Sequence, residues 1–363
     1  MSTPSHVVHT EPHWLTLRDA IATPFARVAL ADIMGEPPPS PGITAFTRGC
    51  LYDADGTRVA LSVGTGGTEG DEAASIDPEE LPPEQRGGTW LTGRALYLGT
   101  LMHEHGRFIT ESLSRCWLRE AGAFDHYVAY PFMDDPGSVQ LGDSQRYLAG
   151  LLDMPLERVS MLHSQTVFDE IVVPEQLWIH DVQVNARMRV VYERIRARHV
   201  GHSSTGRIFL SAPPSEDLGN PLAIEEVFAG FGFRIVHPER MPMAEQLSLY
   251  ANCEVLASFS GSFMRNCLFA RPGLLTIEVG DRRSRHSPLV AQQMANELAQ
   301  VEAHFIPFGD GARPDIAPKA VRRQLRTILG ELERRGPMIL LRLKRRLQRI
   351  KRGRAQADLR GGS

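Results

Sequence analysis

The sequence predicts an α/β protein, two Rossmann-like domains facing a cleft. Two observations predict it. From about Ala95 onward, short apolar runs of strand length alternate with stretches of helix length, the pattern of parallel strands joined by crossover helices. The chain has 363 residues, which at roughly 100–200 residues per domain makes room for two such units.

Residues 1–90 are rich in Pro, Gly and acidic groups. Pro37, Pro38 and Pro39 form a stiff spacer, and Gly64 to Pro83 reads as an irregular loop. Regular structure then begins. Ala95–Gly99 is a buried-strand candidate, Gly106–Glu120 a helix, and Tyr127–Tyr130 a strand ended by Pro131. Ser144–Leu152 fits a helix and Thr166–Val173 a strand ended by Pro174. The second half repeats the alternation more clearly. Its strands are expected at 207–211, 233–236, 254–259 and 274–279. Pro221 opens one helix at its first turn, a second covers 242–251, and a third starts at Gly261-Ser262 and ends near Ala270. Residues 1–190 are read as an N-terminal α/β domain with an irregular start. Residues 200–330 are a C-terminal Rossmann-like domain, and 331–363 a basic amphipathic tail.

Composition narrows the function. Hydrophobic residues make up 42% and charged residues 23%, ordinary for a soluble protein. A formal net charge of -3 gives no overall pull toward nucleic acid. Cys50, Cys116, Cys253 and Cys267 form no CxxC pair and no zinc spacing, so buried thiols in a reducing compartment are expected. Met1 to Pro12 lacks a basic segment followed by an apolar run. No stretch approaches the roughly 18 apolar residues that span a bilayer. A cytoplasmic protein is the expectation.

The segment Ser258-Phe259-Ser260-Gly261-Ser262-Phe263-Met264-Arg265-Asn266 carries the strongest signal. A strand ends, a Gly-Ser turn follows and a helix begins. Ligands of open α/β sheets bind at the carboxyl ends of strands, and a helix start offers unpaired N–H groups to a diphosphate. Gly261 permits close approach, Ser262 caps or donates, and Arg265 adds fixed charge. Ordinary helix capping explains the same turn.

Residues 207–280 resemble the core of glycosyltransferase family 61. The resemblance runs from Arg207-Ile208-Phe209-Leu210-Ser211 through Gly232-Phe233, Pro238-Glu239, Glu245-Gln246 and Gly261-Ser262. It continues through Asn266-Cys267-Leu268-Phe269 and Pro272-Gly273 to Glu278. Upstream, Gly106-Arg107-Phe108 followed by Glu111 and Leu113-Ser114-Arg115-Cys116-Trp117 is similar to the family's Gly-His-Phe motif. The sequence departs from the family at three positions: Ala212 stands where the family has Arg, and Arg107 and Arg265 stand where it has His. The resemblance implies the two-domain GT-B arrangement. It implies transfer of a sugar from a nucleotide-sugar donor to a saccharide or glycan acceptor, with a role in polysaccharide or capsule synthesis. Inversion at the anomeric carbon without a metal is the expected chemistry. The departures leave a second reading, a catalytically degenerate protein that binds nucleotide or glycan without turnover. A nucleotide-sugar epimerase shares the two-domain shape and is a further rival.

Transfer with inversion needs a base for the attacking hydroxyl. Glu111 is the first candidate, with His105 and His103 as alternatives. On a helical wheel Arg107, Glu111 and Arg115 share one face, which is expected to look into the cleft on the acceptor side. A plain Glu111–Arg115 ion pair at i,i+4 explains the same spacing. His103-Glu104-His105 has no third ligand in view, so no metal and no cofactor are expected. The donor side is expected to use Gly261, Ser262, Arg265, Asn266, Ser211, Glu245 and Glu278. For the last two, a favourable acid in a helix's first turn and a solvated strand end are equally good accounts.

In the tail, Arg342, Lys344, Arg345, Arg346, Arg349, Lys351 and Arg352 interleave with Ile339, Leu340, Leu341, Leu343, Leu347 and Ile350. Packing on the other domain, binding of an anionic membrane face and nucleic-acid binding are the three readings. No aromatic residue interleaves the basic ones, which argues against nucleic acid. Membrane-surface association is the reading preferred, because a lipid-linked acceptor would sit there.

Overall fold

The computed structural model describes residues 5–24, 26–29, 45–63, 74–75, 77–118, 124–131, 141–154, 158–201, 203–212, 220–308 and 316–334. Pro37–Pro39 and residues 335–363 of the basic tail fall outside them. Two large sheets organise the chain.

The first sheet contains β1 (Trp14–Ala22), β2 (Leu51–Tyr52), β3 (Thr89–Thr100), β4 (His126–Tyr130), β5 (Val159–Met161) and β6 (Thr166–Pro174). Their spatial order is β2-β1-β6-β3-β4-β5. Strands β6, β3, β4 and β5 are parallel. Strand β1 runs antiparallel to β6, and β2 antiparallel to β1. Ala95 to Leu98 in β3 are all buried, because both faces of this parallel region are covered and no polar face is left.

The second sheet is β7 (Arg207–Leu210), β8 (Arg234–Val236), β9 (Val255–Phe259), β10 (Leu275–Val279) and β11 (Glu302–Ile306). The order β8-β7-β9-β10-β11 is parallel throughout. That is a doubly wound sheet whose strand order reverses between β7 and β9.

Helices are α1 (His105–Thr110), α2 (Asp143–Leu151), α3 (Arg189–Ala197), α4 (Pro221–Ala229), α5 (Met243–Asn252) and α6 (Val290–Ala299), followed by α7 over 318–334. One apolar cluster holds side chains from both sheets: Leu96, Tyr127 and Ala129 from the first, and Ile208, Leu210 and Leu256 from the second. Between them lie Phe108, Leu148, Tyr192, Leu247, Phe269 and Met294. A shared helical layer therefore joins the sheets. On the outer face of the second sheet, Ile224, Val227 and Phe228 of α4 meet Val321, Leu325 and Ile328 of α7. Each such burial is worth about 1.5–3 kcal/mol.

Four expectations change. The helix read over Gly106–Glu120 ends at Thr110 and passes into a 3₁₀ turn, Ser112–Arg115. The helix read from Gly261 is a six-residue 3₁₀ segment, Met264–Phe269. Strand β1 lies inside the stretch read as irregular, and β11 was not anticipated. Among the described residues, no helix is long and apolar enough to cross a membrane. All four cysteines are free and buried.

Candidate functional site

The chain places two cavities along the carboxyl edge of the second sheet. The larger, about 580 Å3, is lined by Ser211 and Ala212 after β7, by Asn220 to Ala223 and Glu225 at the start of α4, and by His237, Glu239 and Arg240 after β8. Pro221 suits the first turn because its missing N–H has no partner to lose. The amino end of α4 thus faces the cavity, with Leu222 73% exposed at its mouth. Ser211 donates to Glu225 Oε1 at 2.6 Å, which orients that carboxylate. Arg240 is mostly exposed, 3.5 Å from Glu239.

The smaller cavity, about 310 Å3, lies where the first sheet's helices meet the second sheet. His103 and His105 line it, with Gly142 to Gln145 at the start of α2 and Pro238, Glu239, Met243, Gln246 and Phe263 opposite. Glu239 borders both cavities. The Gln246 amide donates to Pro238 O and Met241 O, which ties α5 to the preceding turn.

His105 Nε2 lies 3.0 Å from Asn266 Oδ1, and the Asn266 amide donates to Phe263 O at 3.0 Å. The amide's orientation assigns the ring proton to Nε2 and leaves Nδ1 as a lone pair. Burial lowers the His105 pKa, more than the Asn266 bond and the Glu104 charge raise it. The ring is therefore neutral at pH 7.

The Gly261–Asn266 segment packs against the start of α1. Glu104 caps that helix, accepting from Gly106 N at 2.9 Å and Arg107 N at 2.8 Å. The same carboxylate accepts from the Ser262 hydroxyl and lies 3.8 Å from Arg265 Nη1. Burial opposes ionisation, but the Ser262 and backbone hydrogen bonds and Arg265 outweigh it and hold the Glu104 pKa low. Gly261 has φ of 135°, a conformation that favours glycine. Ser262 and Arg265 thus already face a protein carboxylate, and the cavity opens beside them at Phe263.

The remaining expected residues are dispersed. Arg107 and Glu111 do pair at i,i+4, through Nε–Oε1 at 2.8 Å and Nη2–Oε2 at 3.1 Å. His180 Nδ1 stands 3.1 Å from Glu111 Oε1. Glu111 is buried, yet the neighbouring His180 and the bonds from Arg107 overcome desolvation and lower its pKa. The expected Glu111–Arg115 pair does not form. The 3₁₀ turn rotates Arg115 inward, where it donates to Pro174 O and lies over the Tyr97 ring at 5.3 Å. Arg115 is 2% exposed and does not look into a cleft. Glu245 is exposed in the first turn of α5, and its neighbour Gln246 faces the cavity instead. Glu278 is buried at the end of β10 and accepts from Ser260 at 2.6 Å. Burial is the main reason its pKa rises to about 7. Neither Glu111, Arg115, Glu245 nor Glu278 lines the two cavities.

The sequence reading did not name Leu222, Ala223, Glu225, His237, Arg240 or Asp143 to Gln145 as site residues, and Glu239 entered it only within the Pro238-Glu239 turn of the resemblance. One signal pointed to most of them: they directly follow strand ends or open helices, where site residues gather. Among the described residues, no three His, Cys, Asp or Glu side chains are grouped to hold a metal ion.

A parallel sheet of this order defines an α/β protein with cavities at its strand ends, where ligands of open α/β sheets bind. Comparison with known families narrows the class. Residues 105–277 match the family Glycosyltransferase 61, so the chain is a glycosyltransferase that carries this family's domain. The match starts at His105 and ends in β10, covering every lining residue of the two cavities except His103. No curated protein matches the chain.

Proposed function

We propose that the enzyme transfers a sugar from a nucleotide-sugar donor to a saccharide acceptor by metal-independent displacement with inversion. One observation supports this most: two cavities share Glu239 along the carboxyl edge of a doubly wound sheet. The larger offers apolar walls at Ala212, Pro221, Leu222 and Ala223 for a base. Glu225 and Glu239 can accept from ribose hydroxyls. Arg240 and the amino end of α4 meet the diphosphate charge. The smaller cavity takes the sugar and the acceptor.

His105 is the better base than Glu111. Glu111 has both oxygens bound by Arg107, whereas His105 is neutral and lines the cavity. The acceptor hydroxyl gives its proton to His105 Nδ1 while its oxygen attacks the anomeric carbon. The bond from that carbon to the phosphate oxygen breaks, and the nucleoside diphosphate leaves with the electron pair. Attack opposite the leaving group inverts the centre. His103, exposed at the cavity rim, is placed to contact the acceptor. Ser211 acts through Glu225.

The GT-B arrangement, a cytoplasmic location and docking of the tail on an anionic membrane face belong to the same proposal. So does a lipid-linked acceptor in polysaccharide synthesis. A panel of UDP-, GDP- and CMP-sugars tests the function. Turnover of one donor is expected, and Arg240→Glu should weaken binding of the nucleotide that donor releases at least tenfold by calorimetry. Unchanged affinity would move the donor out of the larger cavity. Nucleotide binding without turnover of any donor would favour the degenerate reading.

A further inference from the structure

Three consecutive residues of the first half reach into one segment of the second. Glu104 accepts from the Ser262 hydroxyl and faces Arg265, and His105 binds Asn266. Gly106 lies so close that a β-carbon there would come within 2.7 Å of Arg265 Nη1 and 3.1 Å of Ser262 Cβ. The contacts are local on one side and about 160 residues distant on the other. They set where α1 starts relative to the second sheet, and so where His105 stands in its cavity. Glu104 itself lines neither cavity.

On the reading of His105 as the base, we infer that Glu104 is a positioning residue. Its carboxylate ties the start of α1 to the Ser262–Asn266 segment and holds His105 at the site of proton abstraction. The segment expected to cradle a diphosphate has its donors turned to this carboxylate. Glu104 also acts on the ring through charge. It favours the protonated imidazole, while Arg265 and burial disfavour it. The other titratable groups around the same cavity are His103, Asp143 and Glu239.

The experiment measures sugar transfer against pH for the full chain and for Glu104→Gln, Ser262→Ala and His105→Gln, with thermal melts alongside. Glu104→Gln is expected to lower kcat about tenfold or more, as a small misplacement of a reacting group does. Donor KM should stay within twofold. The acid limb of kcat should move to lower pH, because a charge that favours protonation of His105 is gone; a merely structural role would not move it. Should Glu104→Gln fail to fold, Ser262→Ala removes one tie and keeps the charge. It is expected to lower kcat with donor KM and the acid limb unmoved. Wild-type kcat and acid limb in Glu104→Gln would overturn the inference. A raised donor KM with unchanged kcat in Ser262→Ala would overturn it too, since the segment would then hold the donor. Wild-type kcat in His105→Gln would instead refute the base assignment.

Discussion

At the residue scale, a few side chains matter for what their neighbours do to them. Asn266 fixes the tautomer of His105, and burial keeps that ring neutral. A base of this kind works only unprotonated. The enzyme's rate should therefore fall as pH drops through an apparent pKa below the usual histidine value of about 6.5. A profile of kcat from pH 4.5 to 8 checks this, and an acid limb above pH 7 would exclude the ring as described. Glu278 shows the opposite shift. It accepts from Ser260, stands beside Asp281, and its Oε2 is buried without a hydrogen-bond partner. Its folded pKa of about 7 exceeds the ordinary carboxylate value. Its stabilising contribution is thus complete below the unfolded pKa and is lost as pH rises through about 7. Glu278→Gln should spare the protein about 2–3 kcal/mol of the stability loss between pH 5 and pH 8.5. Urea unfolding at the two pH values measures it. Parallel pH dependence of variant and wild type would show that Glu278 ionises freely.

At the element scale, short 3₁₀ turns and two unread strands account for what changed between sequence and structure. Strands β7 to β10 and helices α4 and α5 were readable because Pro221, Gly232, Pro242 and Pro272-Gly273 punctuate apolar runs of the right length. The first-half helix was not, because its periodicity over Arg107, Glu111 and Arg115 also suits a chain that stops at Thr110 and tightens. Only Arg115's burial beneath Gly99 reveals the rotation, and burial depends on distant strands. Gly99 has φ of 83°, and a β-carbon there would meet Arg115 Nε at 2.9 Å. Strand β1 escaped notice because its outer half, Trp14 to Asp19, is mainly exposed and shows no apolar run. The loop after β10 is another tight place. A β-carbon on Gly280 would lie 2.5 Å from Ser284 O and 2.8 Å from Phe305 Cζ. Gly280→Ala should destabilise by about 1–3 kcal/mol through overpacking. A melting temperature equal to wild type would contradict that packing.

At the scale of the whole molecule, the two sheets share one helical layer; the smaller cavity lies where that layer meets the second sheet's carboxyl edge, and the larger lies on the same edge beside the start of α4. The α/β class and the placing of cavities at strand ends were legible from the alternation of elements. The segment at Gly261–Asn266 was legible as special, but its partner was not. Glu104 is distant in sequence, and no local pattern tells that its carboxylate will occupy the hydroxyl and guanidinium expected to face a phosphate. The larger cavity was missed for a related reason. Its walls come from three separate loops, each ordinary by itself.

Everything proposed for the chemistry converges on the imidazole of His105. The decisive measurement is the rate of sugar transfer by His105→Gln, with the donor that the wild-type enzyme turns over. The account predicts a fall in kcat of at least about 100-fold, with donor KM within twofold of wild type. A variant that transfers sugar at the wild-type rate would contradict it.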